Sequence, residues 1–244
     1  MGCQNLASYQ EYALTSLAAR LYGIIRRPRA TFAAILEAPS WVSVLLLTTT
    51  VTFGCLAAFL NTDIGRQALV DQWERTATAF GQTVDDASYA RMEERASTGG
   101  VGWLYAAGTA LAYGPGLACA VAAALFLTLK PRRSYSQVLT IAVYAGVILA
   151  LRQVVAAPVN YVRESIASPT TLVQFFGMLD EASPLARFLG VVDLFVAWWI
   201  VVLAIGVSVL YRRPMRKLAL TFAGVYMMLA LLAALVMAMA GGTA

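Results

Sequence analysis

The chain has 244 residues, of which 60% are hydrophobic and 13% charged, with a formal net charge of +5 and a mean hydropathy of +0.70. Soluble globular domains lie near half apolar and a quarter charged, so lipid is the expected solvent. Three cysteines exclude a disulfide scaffold, and the absence of histidine removes Ser-His-Asp and Cys-His catalysis, histidine-ligated zinc or haem, and any histidine proton switch.

In chain order, residues 1–40 read as short amphipathic helices on the cytosolic face. Leu6, Ala13, Leu17, Leu21 and Ile24 recur at helical spacing. A second helix is expected from Thr31 to Glu37, ending before Pro39, because the residue ahead of a proline is pushed out of the helical region. With Arg26, Arg27 and Arg29 beside them, these helices either lie on the membrane, basic side to the headgroups, or dock on the protein's own spans. No continuous apolar run precedes residue 20, so a cleaved signal peptide is not expected.

A hydrocarbon core of about 30 Å needs roughly 20 apolar residues in a helix. Five segments meet that length, at about 41–60, 103–129, 138–157, 188–210 and 218–240. The third is interrupted by Arg152, and a shallow or re-entrant segment is the alternative there. The fourth contains Asp193. Together they predict an all-α polytopic membrane protein with a single five-span domain over 41–240. The loop at 61–102 is long enough for its own helices: Leu69, Trp73, Ala77 and Phe80 form a helical stripe, and Tyr89–Arg95 reads as a further short turn.

Basic residues set the orientation, since cytosolic loops carry the excess. With the N-terminus in the cytosol, eleven fall inside: Arg20, Arg26, Arg27, Arg29, Lys130, Arg132, Arg133, Arg212, Arg213, Arg216 and Lys217. Six fall outside, at Arg66, Arg75, Arg91, Arg95, Arg163 and Arg187, and an odd number of spans puts the C-terminus outside. The positive charge is thereby read as membrane-surface charge facing the lipid bilayer, with no nucleic-acid partner implied. The expected location is the plasma (inner) membrane, multi-pass.

Inside the spans the two formal charges are Arg152 and Asp193. Each costs about 2.5–3.5 kcal/mol at a helix centre, so each needs a partner. At 1.5 Å per residue, Arg152 stands about 21 Å above the cytosolic edge and Asp193 about 9 Å below the outer one. In a core of about 30 Å those depths coincide, which predicts an Arg152–Asp193 ion pair. It is either a structural clamp or a proton or substrate site.

The second span carries Gly102, Ala106, Ala110, Gly114, Ala118 and Ala122 at four-residue spacing, a ladder along which another helix can approach closely. Gly114-Pro115-Gly116 should kink or break that helix. No Walker motif, GxGxxG, HExxH or CxxC occurs, and no cofactor or metal site is expected.

Several stretches follow one pattern. They are Pro28, Thr31-Phe32 and Glu37-Ala38-Pro39-Ser40-Trp41 before the first span, and Arg133-Ser134-Tyr135-Ser136-Gln137-Val138 opening the third. Leu189, Gly190, Val192-Asp193-Leu194-Phe195, Trp198-Trp199 and Leu203-Ala204-Ile205-Gly206 follow around the fourth, and then a basic hinge at Arg212 to Lys217. The chain resembles, over about residues 18–240, the prokaryotic branch of the Yip family (Ypt-interacting-protein domain). That resemblance implies five spans and a cytosolic N-terminus. Eukaryotic members bind Rab-type GTPases in vesicle traffic, but this chain shows no long polar N-terminal arm of the eukaryotic kind. The resemblance therefore implies a non-enzymatic accessory or scaffold role in membrane organisation or trafficking, beside other membrane proteins or as a homo-oligomer. The alternative is a small transporter or lipid-handling protein with a cavity near Arg152 and Asp193.

Overall fold

The computed structural model describes residues 16–129, 134–176 and 183–241, and every extended element among them is helical. In chain order the helices are α1 Leu17–Arg26, α2 Pro28–Glu37, α3 Val42–Leu60, α4 Asp63–Ala79, α5 Asp86–Ser97 and α6 Val101–Leu111. A π-helical turn at Ala112–Gly116 leads into α7 Leu117–Thr128. Then come α8 Tyr135–Ala145, α9 Val147–Val162, α10 Pro184–Val191, α11 Leu194–Tyr211 and α12 Met215–Gly241.

Among the described residues, five helical runs are long and apolar enough to cross a membrane: Val42–Leu60, Val101–Thr128, Tyr135–Val162, Leu194–Tyr211 and Met215–Val236. The third is a complete span of 28 residues, because Gly146 keeps right-handed helical angles between α8 and α9 and the helix continues past Arg152. The fourth begins later than hydropathy placed it. α10 ends at Val191, Val192 is extended, and α11 starts only at Leu194, so Asp193 stands before the helix. The segment at 86–97 is a full three-turn helix instead of a short turn, opened by Asp85, whose side chain accepts from the Ser88 amide at 2.9 Å.

The residues divide into two compact units. The first holds the described residues within 1–50, 111–150 and 198–222. Ser16 caps α1, and Pro28 occupies the first turn of α2, where its missing N–H costs nothing. Gly23 lets the two helices meet: a Cβ there would stand 2.4 Å from the Thr31 hydroxyl oxygen. Ile24, Phe32 and Ile35 are buried, so α1 and α2 dock on the spans, while Arg26, Arg27 and Arg29 stay exposed. Polar ties reinforce the docking: Gln137 Nε2 donates to the Leu36 carbonyl at 3.5 Å and the Tyr144 hydroxyl to that of Ser40 at 3.2 Å. α8 is buried from Val138 to Ala145 on every face. Within lipid, tails are as apolar as leucine, so this packing is driven by close van der Waals fit. Gly206 of α11 shows how close: a Cβ there would lie 2.5 Å from Ile141 Cγ2 and 3.1 Å from Phe32 Cζ.

The second unit holds the described residues within 51–110, 151–197 and 223–244. Its core joins Leu56, Ala57, Phe59 and Leu60 of α3 to Ala68 and Leu69 of α4 and Ala106 of α6. Thr62 caps α4, and Gly65 sits where a Cβ would be 2.0 Å from the Phe59 carbonyl oxygen, which permits the sharp turn out of α3. α4 and α5 pair side by side: Gln67 donates to the Tyr89 hydroxyl at 2.6 Å, and the Arg95 guanidinium lies 5.7 Å from the Trp73 ring centre. Leu69 is buried and Trp73 partly so, but Phe80 is exposed, so the α4 stripe packs over only part of its length.

Candidate functional site

The second unit contains a polar knot around Asp193. Thr171 and Asp193 form an isolated antiparallel bridge, with the Leu172 amide donating to Val192 O at 2.8 Å and the Leu194 amide to Thr170 O at 3.1 Å. This pairing brings the Ser168-Pro169-Thr170 segment against the start of α11. Asp193 Oδ1 then accepts from the Phe195 amide at 2.8 Å and the Val196 amide at 3.4 Å, an N-cap for the fourth span. Oδ2 accepts from the Ser168 and Thr170 hydroxyls, each at 2.8 Å.

Arg152 completes the knot from α9. Its Nη1 lies 3.6 Å from Asp193 Oδ2, an ion-pair distance beyond the 2.7–2.9 Å typical of a charge-assisted hydrogen bond. The Arg152 side chain is 18% exposed and that of Asp193 4%. Among the described residues, Arg152 Nε, and Asn160 Oδ1 two turns further along α9, are buried without a hydrogen-bond partner. The Tyr226 hydroxyl of α12 accepts from the Asp193 amide at 3.3 Å and donates to the Val191 carbonyl at 2.5 Å. Ser168, Thr170 and Tyr226 were missed in the sequence. Their signal was present only as hydroxyls beside an intramembrane carboxylate, with no spacing rule linking them.

The helix along which the depth of Asp193 was counted is broken: Val192 is extended, and Asp193 precedes an 18-residue helix of about 27 Å. The count assumed an unbroken helix from residue 188.

Of the small-residue ladder, Ala106, Ala110, Ala118 and Ala122 are buried and Gly102 is half-buried. A Cβ on Gly102 would lie 3.2 Å from the Leu60 carbonyl oxygen, and one on Gly114 2.5 Å from Thr49 Oγ1, so α3 is the close neighbour at both rungs. Gly114-Pro115-Gly116 does not break the helix. The π turn widens the spiral by one residue and absorbs the hydrogen bond that Pro115 cannot donate. Of the basic residues, Arg212, Arg213, Arg216 and Lys217 are exposed around the α11–α12 turn. Arg29, Arg212 and Arg213 line one cavity. Lys130, Arg132 and Arg133 lie outside the described residues.

Five apolar spans with a carboxylate knot at the mouth of the fourth define a polytopic α-helical membrane protein in contact with the bilayer. The chain belongs to the Yip1 domain family, whose model matches residues 22–238. No curated protein and no solved structure matches it. The family is not known as enzymatic.

Proposed function

We propose that this protein is a non-enzymatic scaffold or accessory subunit of a plasma-membrane assembly, with its N-terminus in the cytosol and its C-terminus outside. The observation that carries the reading is the saturation of Asp193. A carboxylate is an acceptor-only group with two oxygens, and here two amides and two hydroxyls already occupy them. That arrangement fixes the start of a span; it leaves little acceptor capacity for a passing proton or substrate. Dense basic clusters beside the spans, eleven residues against six across long outer segments, support the orientation. Within the Met215–Val236 span an 18-residue window is only 11% buried, which leaves an apolar face for lipid, another membrane protein or a second copy.

One observation favours a second reading, a small transporter or lipid-handling protein: Arg152 Nε and Asn160 Oδ1 are buried with hydrogen-bonding capacity unfilled. Purification of the full chain in mild detergent, with crosslinking in the intact membrane, separates the two. The scaffold role predicts a stoichiometric membrane-protein partner or homo-oligomer, retained in Asp193→Asn. A solitary chain, together with a transport activity abolished by Asp193→Asn at unchanged folding, would contradict it.

A further inference from the structure

The first unit contains a basic cavity of about 420 Å3 lined by Arg29 and Ala33 of α2, Ser208 and Val209 of α11, and Arg212, Arg213 and Pro214 of the turn into α12. Its volume falls within the roughly 300–1,000 Å3 of small-ligand clefts. Three arginines line it from two separate parts of the chain. Arg29 and Ala33 are one turn apart on the same face of α2, and the other two arginines sit at the end of a span. Among the described residues none of the three makes an ion pair with a carboxylate. The one hydroxyl in the lining, Ser208, has its proton committed to the Ile205 carbonyl at 3.0 Å. Positive charge is therefore concentrated there without a paired carboxylate among the described residues.

The backbone adds an independent observation. Arg212 has φ +52°, the left-handed region that glycine or asparagine ordinarily fills at the end of a helix. An arginine there accepts local strain that a glycine would relieve, and the residue lines the cavity. The turn joins two spans, so the cavity stands at headgroup depth. Planar guanidinium groups match phosphate oxygens in bidentate geometry, and basic pockets at that depth suit anionic headgroups.

We propose that this cavity is a binding site for the phosphate-bearing headgroup of an anionic phospholipid, held by Arg29, Arg212 and Arg213. The site is independent of the scaffold reading and of which membrane face it occupies. The test is native mass spectrometry of the detergent-solubilised full chain, titrated with phosphatidylglycerol and separately with phosphatidylcholine. One phosphatidylglycerol is expected to be retained at concentrations where phosphatidylcholine is not. Arg29→Gln, Arg213→Gln and Arg212→Gly should each weaken retention about fivefold, equivalent to about 1 kcal/mol per basic residue at an anionic surface. Arg216→Gln removes the same charge outside the cavity lining and should leave retention unchanged. Arg212→Gly should at the same time keep or raise the melting temperature, since it relieves the strained turn. Should either turn variant misfold, Arg29→Gln, exposed on α2, carries the test. Equal weakening by Arg216→Gln would overturn the site in favour of diffuse surface charge. Full displacement by millimolar inorganic phosphate would overturn the lipid assignment, and equal retention of phosphatidylcholine would overturn both.

Discussion

The Tyr226 hydroxyl bridges the break before the fourth span, accepting from the Asp193 amide at 3.3 Å and donating to the Val191 carbonyl at 2.5 Å. Two backbone groups that a continuous helix would satisfy internally are instead held by one phenol from the fifth span. Tyr226→Phe keeps the ring and orphans both. The expected loss is about 1–3 kcal/mol, the cost of unsatisfied buried polar groups. Reversible unfolding in detergent checks it, and an unchanged midpoint would show that the hydroxyl carries no part of the junction.

The two members of the ion pair should not be equal. Asp193→Ala removes the cap, strands two hydroxyls and leaves a largely buried guanidinium alone, a change worth about 3–5 kcal/mol. Arg152→Met leaves Asp193 with its four hydrogen-bond donors and should cost only about 1–2 kcal/mol. The same unfolding assay on the two single variants reads the asymmetry. A larger loss for Arg152→Met would mean that the charge pair, and not the hydrogen-bonded cap, dominates the knot.

Close helix approach predicts opposite signs at two glycines. Gly206→Ala places a methyl 2.5 Å from Ile141 Cγ2, and such overpacking costs about 1–3 kcal/mol. Adding Ile141→Ala in the same chain should recover part of it. Gly224 has nothing within 4 Å of its notional Cβ, so Gly224→Ala should stabilise by about 0.4–1 kcal/mol through reduced unfolded-state freedom. Thermal shifts of the three variants test the packing directly.

Helix α5, between the first two spans, should respond to acid. The hydrogen bonds from Ser88, side chain first and then backbone, hold the Asp85 carboxyl below its ordinary value. A depressed folded value means that the cap's contribution is present above about pH 4, where the unfolded carboxyl is ionised, and is lost as pH falls through the folded value. Protection of the amides over residues 86–97, taken relative to their intrinsic exchange rate at each pH, should therefore fall below that range, and Asp85→Ala should show low protection at neutral pH. Protection that does not change with pH would remove Asp85 as the cap.

The five apolar runs were legible because length and hydropathy alone decide whether a helix can cross lipid. The details of the third and fourth were not. A residue-by-residue reading treats Asp193 as one charge inside an apolar run, since nothing local marks Val192 as extended. The break is stabilised from afar, by Ser168 and Thr170 some 25 residues earlier and Tyr226 33 residues later. Likewise the motif Gly114-Pro115-Gly116 announces an irregularity, but whether it is a break or a π turn depends on α3 packing close at Thr49. Arg29 and Arg212 are 183 positions apart, and only the fold shows that they line one cavity.

The account depends most on the chain crossing the bilayer five times. Single cysteines placed near residue 3 and residue 243, in a chain otherwise lacking cysteine, can be challenged in intact cells with a membrane-impermeant maleimide. Labelling of the position near 243 without permeabilisation, with the position near 3 labelled only after it, is the predicted result. Labelling of both ends from the same side would contradict an odd number of crossings, and with it the placement of the Asp193 knot and the arginine cavity.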